Sequence, residues 1–202
     1  MPRRKNKNWR VVIGLTGGIG SGKSTVLKMF NKKKVFTSDS DVIVSGLLED
    51  THVLKKIRNK FGSDVFLNGK LNKSVMAKKV FSSLKMKKTL EKILHPLVKK
   101  ELFSQLHSHR GDIAILDIPL LYESKWDRYL DKVIVVDSPM VVRIKRLQKR
   151  GMAMADIKSR MKAQWPLAQK VKKADFVIRN GGSVRETQNQ VSKIWNIIAQ
   201  HP

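Results

Sequence analysis

The sequence predicts an α/β fold built on a parallel sheet, and three observations carry that expectation. Val11-Val12-Ile13-Gly14-Leu15, Ile113-Ala114-Ile115-Leu116, Val133-Ile134-Val135-Val136 and Phe176-Val177-Ile178 are short continuous apolar runs, the mark of strands buried on both faces. Long stretches of helical period separate them, as crossovers between parallel strands require. The first run ends in a glycine cluster, Thr16-Gly17-Gly18-Ile19-Gly20-Ser21-Gly22, which opens into a helical pattern with Val26, Leu27 and Phe30 on one face.

Taken in order, residues 1–8 read as a basic, solvated, frayed arm ahead of the first strand. Val35-Phe36 is a weaker candidate for a fifth strand. Residues 42–108 keep a helical period, carry many lysines (Lys55, Lys56, Lys78, Lys79, Lys87, Lys88, Lys99, Lys100) and show no buried-strand signal. They are expected to form a mostly helical insertion beside the sheet. A second helical excursion, residues 141–173, is rich in arginine. No repeat or low-complexity linker divides the 202 residues, so one domain over 1–202 with two helical appendages is expected.

The charge balance is lopsided: 42 Lys+Arg against 16 Asp+Glu give a formal +26, which favours anionic partners without choosing among nucleotides, phosphorylated metabolites, nucleic acid and acidic membranes. The absence of cysteine excludes a disulfide framework and a thiolate metal site. No apolar run approaches the ~18–20 residues that cross a bilayer. The basic start, Met1-Pro2-Arg3-Arg4-Lys5-Asn6-Lys7-Asn8, runs into a strand rather than a signal-peptide core, so a soluble cytoplasmic protein is expected.

Gly17-Gly18-Ile19-Gly20-Ser21-Gly22-Lys23-Ser24 matches G-x-x-x-x-G-K-[ST] at every fixed position, after a buried strand and before an amphipathic helix. Glycines let successive backbone N–H groups turn inward around a phosphate that side chains would block. Lys23 can reach the β- and γ-phosphates, the Ser24 hydroxyl can ligate Mg²⁺, and Thr25 is placed for the α-phosphate.

Three further groups sit where phosphoryl-transfer chemistry needs them. Asp39 and Asp41 follow the weak strand, where alternation on an extended segment would point both carboxylates to one side: one could take a proton, the other orient the metal shell. The pair equally fits a turn or a helix cap. Asp117 ends a buried run, where a carboxylate can hold Mg²⁺ through water or simply cap the strand. Arg143, Arg146 and Arg150 share a helical face, with Arg160 following; they suit a charge-neutralising flap, or a solvated surface.

In combination these blocks resemble the dephospho-coenzyme A kinases. The resemblance runs through Leu15-Thr16-Gly17-Gly18-Ile19-Gly20-Ser21-Gly22-Lys23-Ser24-Thr25, Asp39-Ser40-Asp41, Leu94-His95-Pro96-Leu97-Val98, Ile118-Pro119-Leu120-Leu121-Tyr122-Glu123, Arg146-Leu147-Gln148-Lys149-Arg150, Arg160, Gln164 and Ala174-Asp175-Phe176-Val177-Ile178-Arg179-Asn180. It implies a phosphate-loop kinase fold: a five-stranded parallel sheet flanked by helices, a helical substrate lobe over 42–108 and an Arg-rich lid over 140–165. It implies ATP-dependent phosphorylation of the ribose 3′-hydroxyl of dephospho-coenzyme A, with Mg²⁺, as the last step of coenzyme A synthesis. By motif position, Asp41 is the catalytic base, and Lys23, Arg146 and Arg150 act on the transferred group. Gly18, Ile19, Gly20, Ser21, Gly22, Lys23, Ser24, Thr25, Arg146 and Asn180 hold ATP. Asp41, His95, Pro119, Leu120 and Glu123 face the acceptor, and Ser24, Asp39 and Asp117 arrange the metal.

Departures from the family pattern are Ser40 in place of alanine, Ser45 where an arginine is common, and Trp165-Pro166 after Gln164. Two rival readings remain: another small-molecule kinase of the same fold, and a basic nucleic-acid-binding ATPase. Against the second, the lysines are scattered, aromatic content is only 6%, and no RNA-binding signature is present.

Overall fold

A computed structural model of the chain describes residues 8–33 and 35–200, so residues 1–7 of the expected basic arm lie outside the described residues. The five apolar runs all form strands: β1 (Trp9–Gly17), β2 (Phe36–Asp39), β5 (Gly111–Asp117), β6 (Lys132–Asp137) and β7 (Phe176–Arg179). They make one parallel sheet in the order β2-β5-β1-β6-β7. β1 lies at the centre, with eight of its nine residues buried, and β5 and β6 flank it as strands likewise buried over most of their length. Two short strands, β3 (Phe66–Leu67) and β4 (Lys70–Leu71), pair separately as a hairpin.

The helices are α1 (Lys23–Asn31), α2 (Ser40–Leu47), α3 (Thr51–Phe61), α4 (Lys73–Phe81), α5 (Leu84–Ser108), α6 (Met140–Lys149), α7 (Met154–Lys162), α8 (Leu167–Lys173) and α9 (Val184–Gln200). The described residues divide into two compact units, one within residues 8–39 and 105–200, the other within residues 40–104.

The first unit contains the parallel sheet. Val11, Ile13 and Leu15 of β1 alternate onto one face and pack with Val26, Met29 and Phe30 of α1 and with Val191, Ile194 and Ile198 of α9. Burying Phe30 completely contributes on the order of 1.5–3 kcal/mol. On the other face Gly14 admits Leu121 and Leu130, whose side chains occupy the space a Cβ would need. The sheet thus fixes the C-terminal ends of β1, β2 and β5 side by side, and ligands bind at such ends.

The second unit is mostly helical. Val53, Ile57 and Phe61 form one stripe of α3, at spacings of four, and pack with Val65, Met76, Val80 and Leu94. Asp50 caps α3 by accepting from the Val53 amide at 3.0 Å, and Asn72 caps α4 by accepting from Ser74 and Val75. The β3–β4 hairpin departs from the expectation of no strands in this stretch. Asn68 and Gly69 both have positive φ (50° and 78°), as an Asn-Gly hairpin turn demands, but the strands are too short to show alternation.

A proline restricts the residue before it and commonly ends a helix, yet α5 runs for 25 residues straight through His95 and Pro96. Pro96 withholds one backbone donor from the turn before it, and the helix continues on the buried stripe Leu94, Val98, Leu102 and Leu106.

Candidate active site

The phosphate loop spans the gap between the end of β1 at Gly17 and the start of α1 at Lys23. Ser21 N–H donates to the Gly18 carbonyl at 3.0 Å, closing the turn. Gly22 sits at φ 91°, and Asn180 packs where its Cβ would stand, so only glycine fits there. As the residue that caps α1 it offers no side-chain acceptor, and the first turn of the helix contains no acid. The leading amides of α1 therefore keep their donors and dipole for an external anion.

The loop is clamped from outside. Arg143 of α6 is 8% exposed, donates through Nε to the Ile19 carbonyl at 2.9 Å, and lies against Gly18. Burial lowers the Arg143 guanidinium from its ordinary value while the Asp137 charge opposes that shift. Gln164 accepts from the Ile19 amide at 2.8 Å, so both backbone groups of Ile19 are held. Arg146 reaches the Ser21 carbonyl and the Ser138 hydroxyl at 3.3 and 3.4 Å. Asn180 is buried and donates to the Ser21 carbonyl at 2.8 Å, while the Thr187 hydroxyl lies 3.1 Å from its Oδ1.

The carboxylates are set by the sheet register. Asp39 and Asp117 are direct partners across β2 and β5, so their side chains share a face at the C-terminal edge. Asp117 is 4% exposed, and Lys23 Nζ stands 3.7 Å from its Oδ1. Asp41 is not on the extended segment: β2 ends at Asp39, and Asp41 lies exposed in the first turn of α2. The alternation expected to aim Asp39 and Asp41 together is therefore replaced by a strand-to-helix change between them.

Behind Asp117, Ile118 N–H donates to the Leu15 carbonyl at 2.9 Å, and the chain turns through Pro119 and Leu120. The Pro119 carbonyl accepts from the Thr16 hydroxyl at 3.1 Å and from Lys170 Nζ at 3.0 Å. Glu123, expected among the acceptor contacts, pairs with Lys170 at 2.8 Å and accepts from the Trp165 amide at 2.8 Å.

The first unit thus assembles the loop, Lys23, Ser24, Thr25, Asp39, Asp117, Arg146, Pro119, Leu120, Glu123 and Asn180, whereas Asp41 and His95 belong to the second unit. Arg150 is not on the helical face proper: it is the exposed residue just past the end of α6. Arg143 belongs to the arginines expected on a flap, whereas Gln164, Thr16 and Lys170 carry no role in the sequence expectation. The spacing of Arg143 to Arg146 and Arg150 signalled the first; nothing in the sequence signals that Lys170 is buried.

These residues fit a nucleoside triphosphate with a divalent cation. An uncapped helix start, the Lys23 ammonium and the buried Arg143 guanidinium supply positive potential for polyphosphate. Asp39 and Asp117 share a face at the sheet edge, and carboxylates of this kind suit Mg²⁺, a cation commonly held by one or two carboxylates together with substrate phosphates.

Comparison with known proteins agrees with this geometry. The family profile for dephospho-CoA kinase (CoaE) matches residues 11–186. The dephospho-CoA kinase of Bacillus cereus is 39% identical over 197 residues, covering 93% of this chain and 98% of its own. A Thermus thermophilus crystal structure superposes with a TM-score of 0.83 at 30% identity, covering 95% of this chain and 98% of that one. The dephospho-CoA kinase from Campylobacter jejuni gives 0.67 at 27% identity, covering 94% and 97%. A glycine loop with an uncapped helix behind it, matched over nearly the full chain, leaves one conclusion: this chain belongs to the dephospho-CoA kinase family.

Proposed function

We propose that the chain transfers the γ-phosphoryl group of ATP to the ribose 3′-hydroxyl of dephospho-coenzyme A, yielding coenzyme A and ADP in the cytoplasm. The observation that supports it most directly is the phosphate loop, with Lys23 beside Asp117 and the first turn of α1 open to an anion. Lys23, the loop amides and Arg146 bind and neutralise the polyphosphate, and Asn180 backs the loop. Arg150, at the end of α6, adds charge when the arginine segment closes as a lid. Ser24, Asp39 and Asp117 would hold Mg²⁺, which when bound shields charge on the phosphates. Asp41 takes the proton of the attacking hydroxyl, and His95, Pro119 and Leu120 hold the acceptor.

A coupled assay for ADP release with dephospho-coenzyme A, with the product confirmed by mass, tests this reading; no release, or release without a phosphorylated product, overturns it. Lys23→Ala should abolish most transfer while leaving the thermal midpoint close to wild type, since the lysine acts on ligand charge. Near-normal turnover of that variant at saturating ATP removes Lys23 from the mechanism.

A further inference from the structure

Lys170 is the most deeply buried cation described in the protein, at 0% exposure, and the roles above make no use of it. Its ammonium touches two parts of one loop, Glu123 Oε1 at 2.8 Å and the Pro119 carbonyl at 3.0 Å. From each contact a chain of hydrogen bonds leads back to the phosphate loop. Through Pro119 it reaches the Thr16 hydroxyl, one residue before the loop begins. Through Glu123 it reaches the Trp165 amide, whose neighbour Gln164 accepts from the Ile19 amide inside the loop. The circuit closes: Thr16, Pro119, Lys170, Glu123, Trp165, Gln164, Ile19.

We infer that Lys170 is a positioning residue for phosphoryl transfer, joining the loop after β5 and the far end of the arginine segment into one frame that holds the phosphate loop in register. A fully buried lysine is costly, and a well-packed apolar side chain often serves stability as well or better. Stability alone therefore gives a weak reason for an ammonium here, whereas its directional bonds give a strong one. Burial pushes the Lys170 ammonium down from its ordinary value; Glu123 opposes the shift, and the charges of Lys23 and Arg143 add to it. Those last two influences place Lys170 within electrostatic reach of the groups that grip phosphate. A frame of this kind matters because a displacement of about 1 Å in a reacting group can cost ~10²-fold in rate.

The inference rests on the transfer reaction proposed above, so wild-type turnover is measured first; its absence sinks that reaction, and everything below presumes it. Three variants follow, each with its thermal midpoint, kcat and KM for ATP. Lys170→Met strands the Glu123 carboxylate and should lower both the thermal midpoint and kcat. The double variant Lys170→Met/Glu123→Gln removes the stranded charge, so its thermal midpoint should recover most of the loss. Its kcat should stay about 10–10²-fold below wild type, with KM for ATP changing much less. Gln164→Ala opens the circuit at the other end and should reproduce the fall in kcat at a nearly unchanged thermal midpoint; this variant decides the matter if neither Lys170 variant folds. Recovery of kcat together with the thermal midpoint in the double variant, or wild-type kcat in Gln164→Ala, overturns the positioning role.

Discussion

Asp41 is exposed in the first turn of α2, two residues beyond Asp39, whose carboxylate shares a sheet face with Asp117. A ribose hydroxyl is a poor nucleophile at neutral pH, and loss of a general base costs typically ~10²–10⁴-fold. Asp41→Asn should therefore lower kcat by about that factor with little change in ATP affinity. Retained kcat with a higher Mg²⁺ requirement would make Asp41 a metal-shell residue. Tyr122 offers a test of folding rather than catalysis. Burial first, then the charges of Asp127 and Asp175, raise its hydroxyl from 10.0 to about 12. Between those values the unfolded chain has released a proton that the folded chain keeps, so stability falls as pH rises through that window. Tyr122→Phe should flatten this alkaline fall in thermal midpoint relative to wild type; an equally steep fall would show that Tyr122 contributes nothing to it. Residues of this kind mark where sequence reading stops. Lys23 and Asp117 were legible because a motif and a strand end announce them. Lys170 was not, because its burial depends on a carboxylate 47 positions away and on a proline carbonyl.

Among the elements, α6, α7 and α8 form the excursion between β6 and β7. Its two ends are tied differently: Arg143 and Leu147 of α6 are buried, as is Lys170 of α8, while of α7 only Ile157 is. Elements with few buried contacts open most easily, so α7 is the piece expected to move when the site closes. Amide hydrogen exchange over residues 140–165 should slow when ATP and acceptor bind together; protection elsewhere with unchanged exchange there refutes a lid. Element boundaries were legible where physics is local. β1, β5 and β6 read directly from continuous apolar runs because both of their faces are covered. The course of α5 through Pro96 was not, because a stripe of buried leucines and a valine carries the helix past a residue that locally disfavours it.

At the scale of the whole molecule, the formal charge of +26 predicts salt-sensitive adhesion to nucleic acid whatever the enzyme does. Retention on an immobilised polyanion should fall steeply between low and physiological salt. RNA should leave ATP hydrolysis unchanged, and several-fold stimulation would favour the nucleic-acid-binding alternative. The class of fold was legible in full because alternating strand and helix periods admit few architectures. The limits of the two compact units were not, since no change of composition marks the passage from β2 into α2 or from residue 104 to 105.

The strand order β2-β5-β1-β6-β7 has a consequence for the chain as it is made. β1 leaves the ribosome before the other strands of its sheet, yet both of its edges belong to strands encoded much later. At ~5–20 residues per second, the roughly 90 residues separating β1 from β5 take several seconds to appear. Throughout that interval the central, buried strand of the sheet has no sheet partner, whereas residues 40–104 emerge as one contiguous unit with a core of their own. The nascent chain must therefore protect its first strand until its fifth helix has been made.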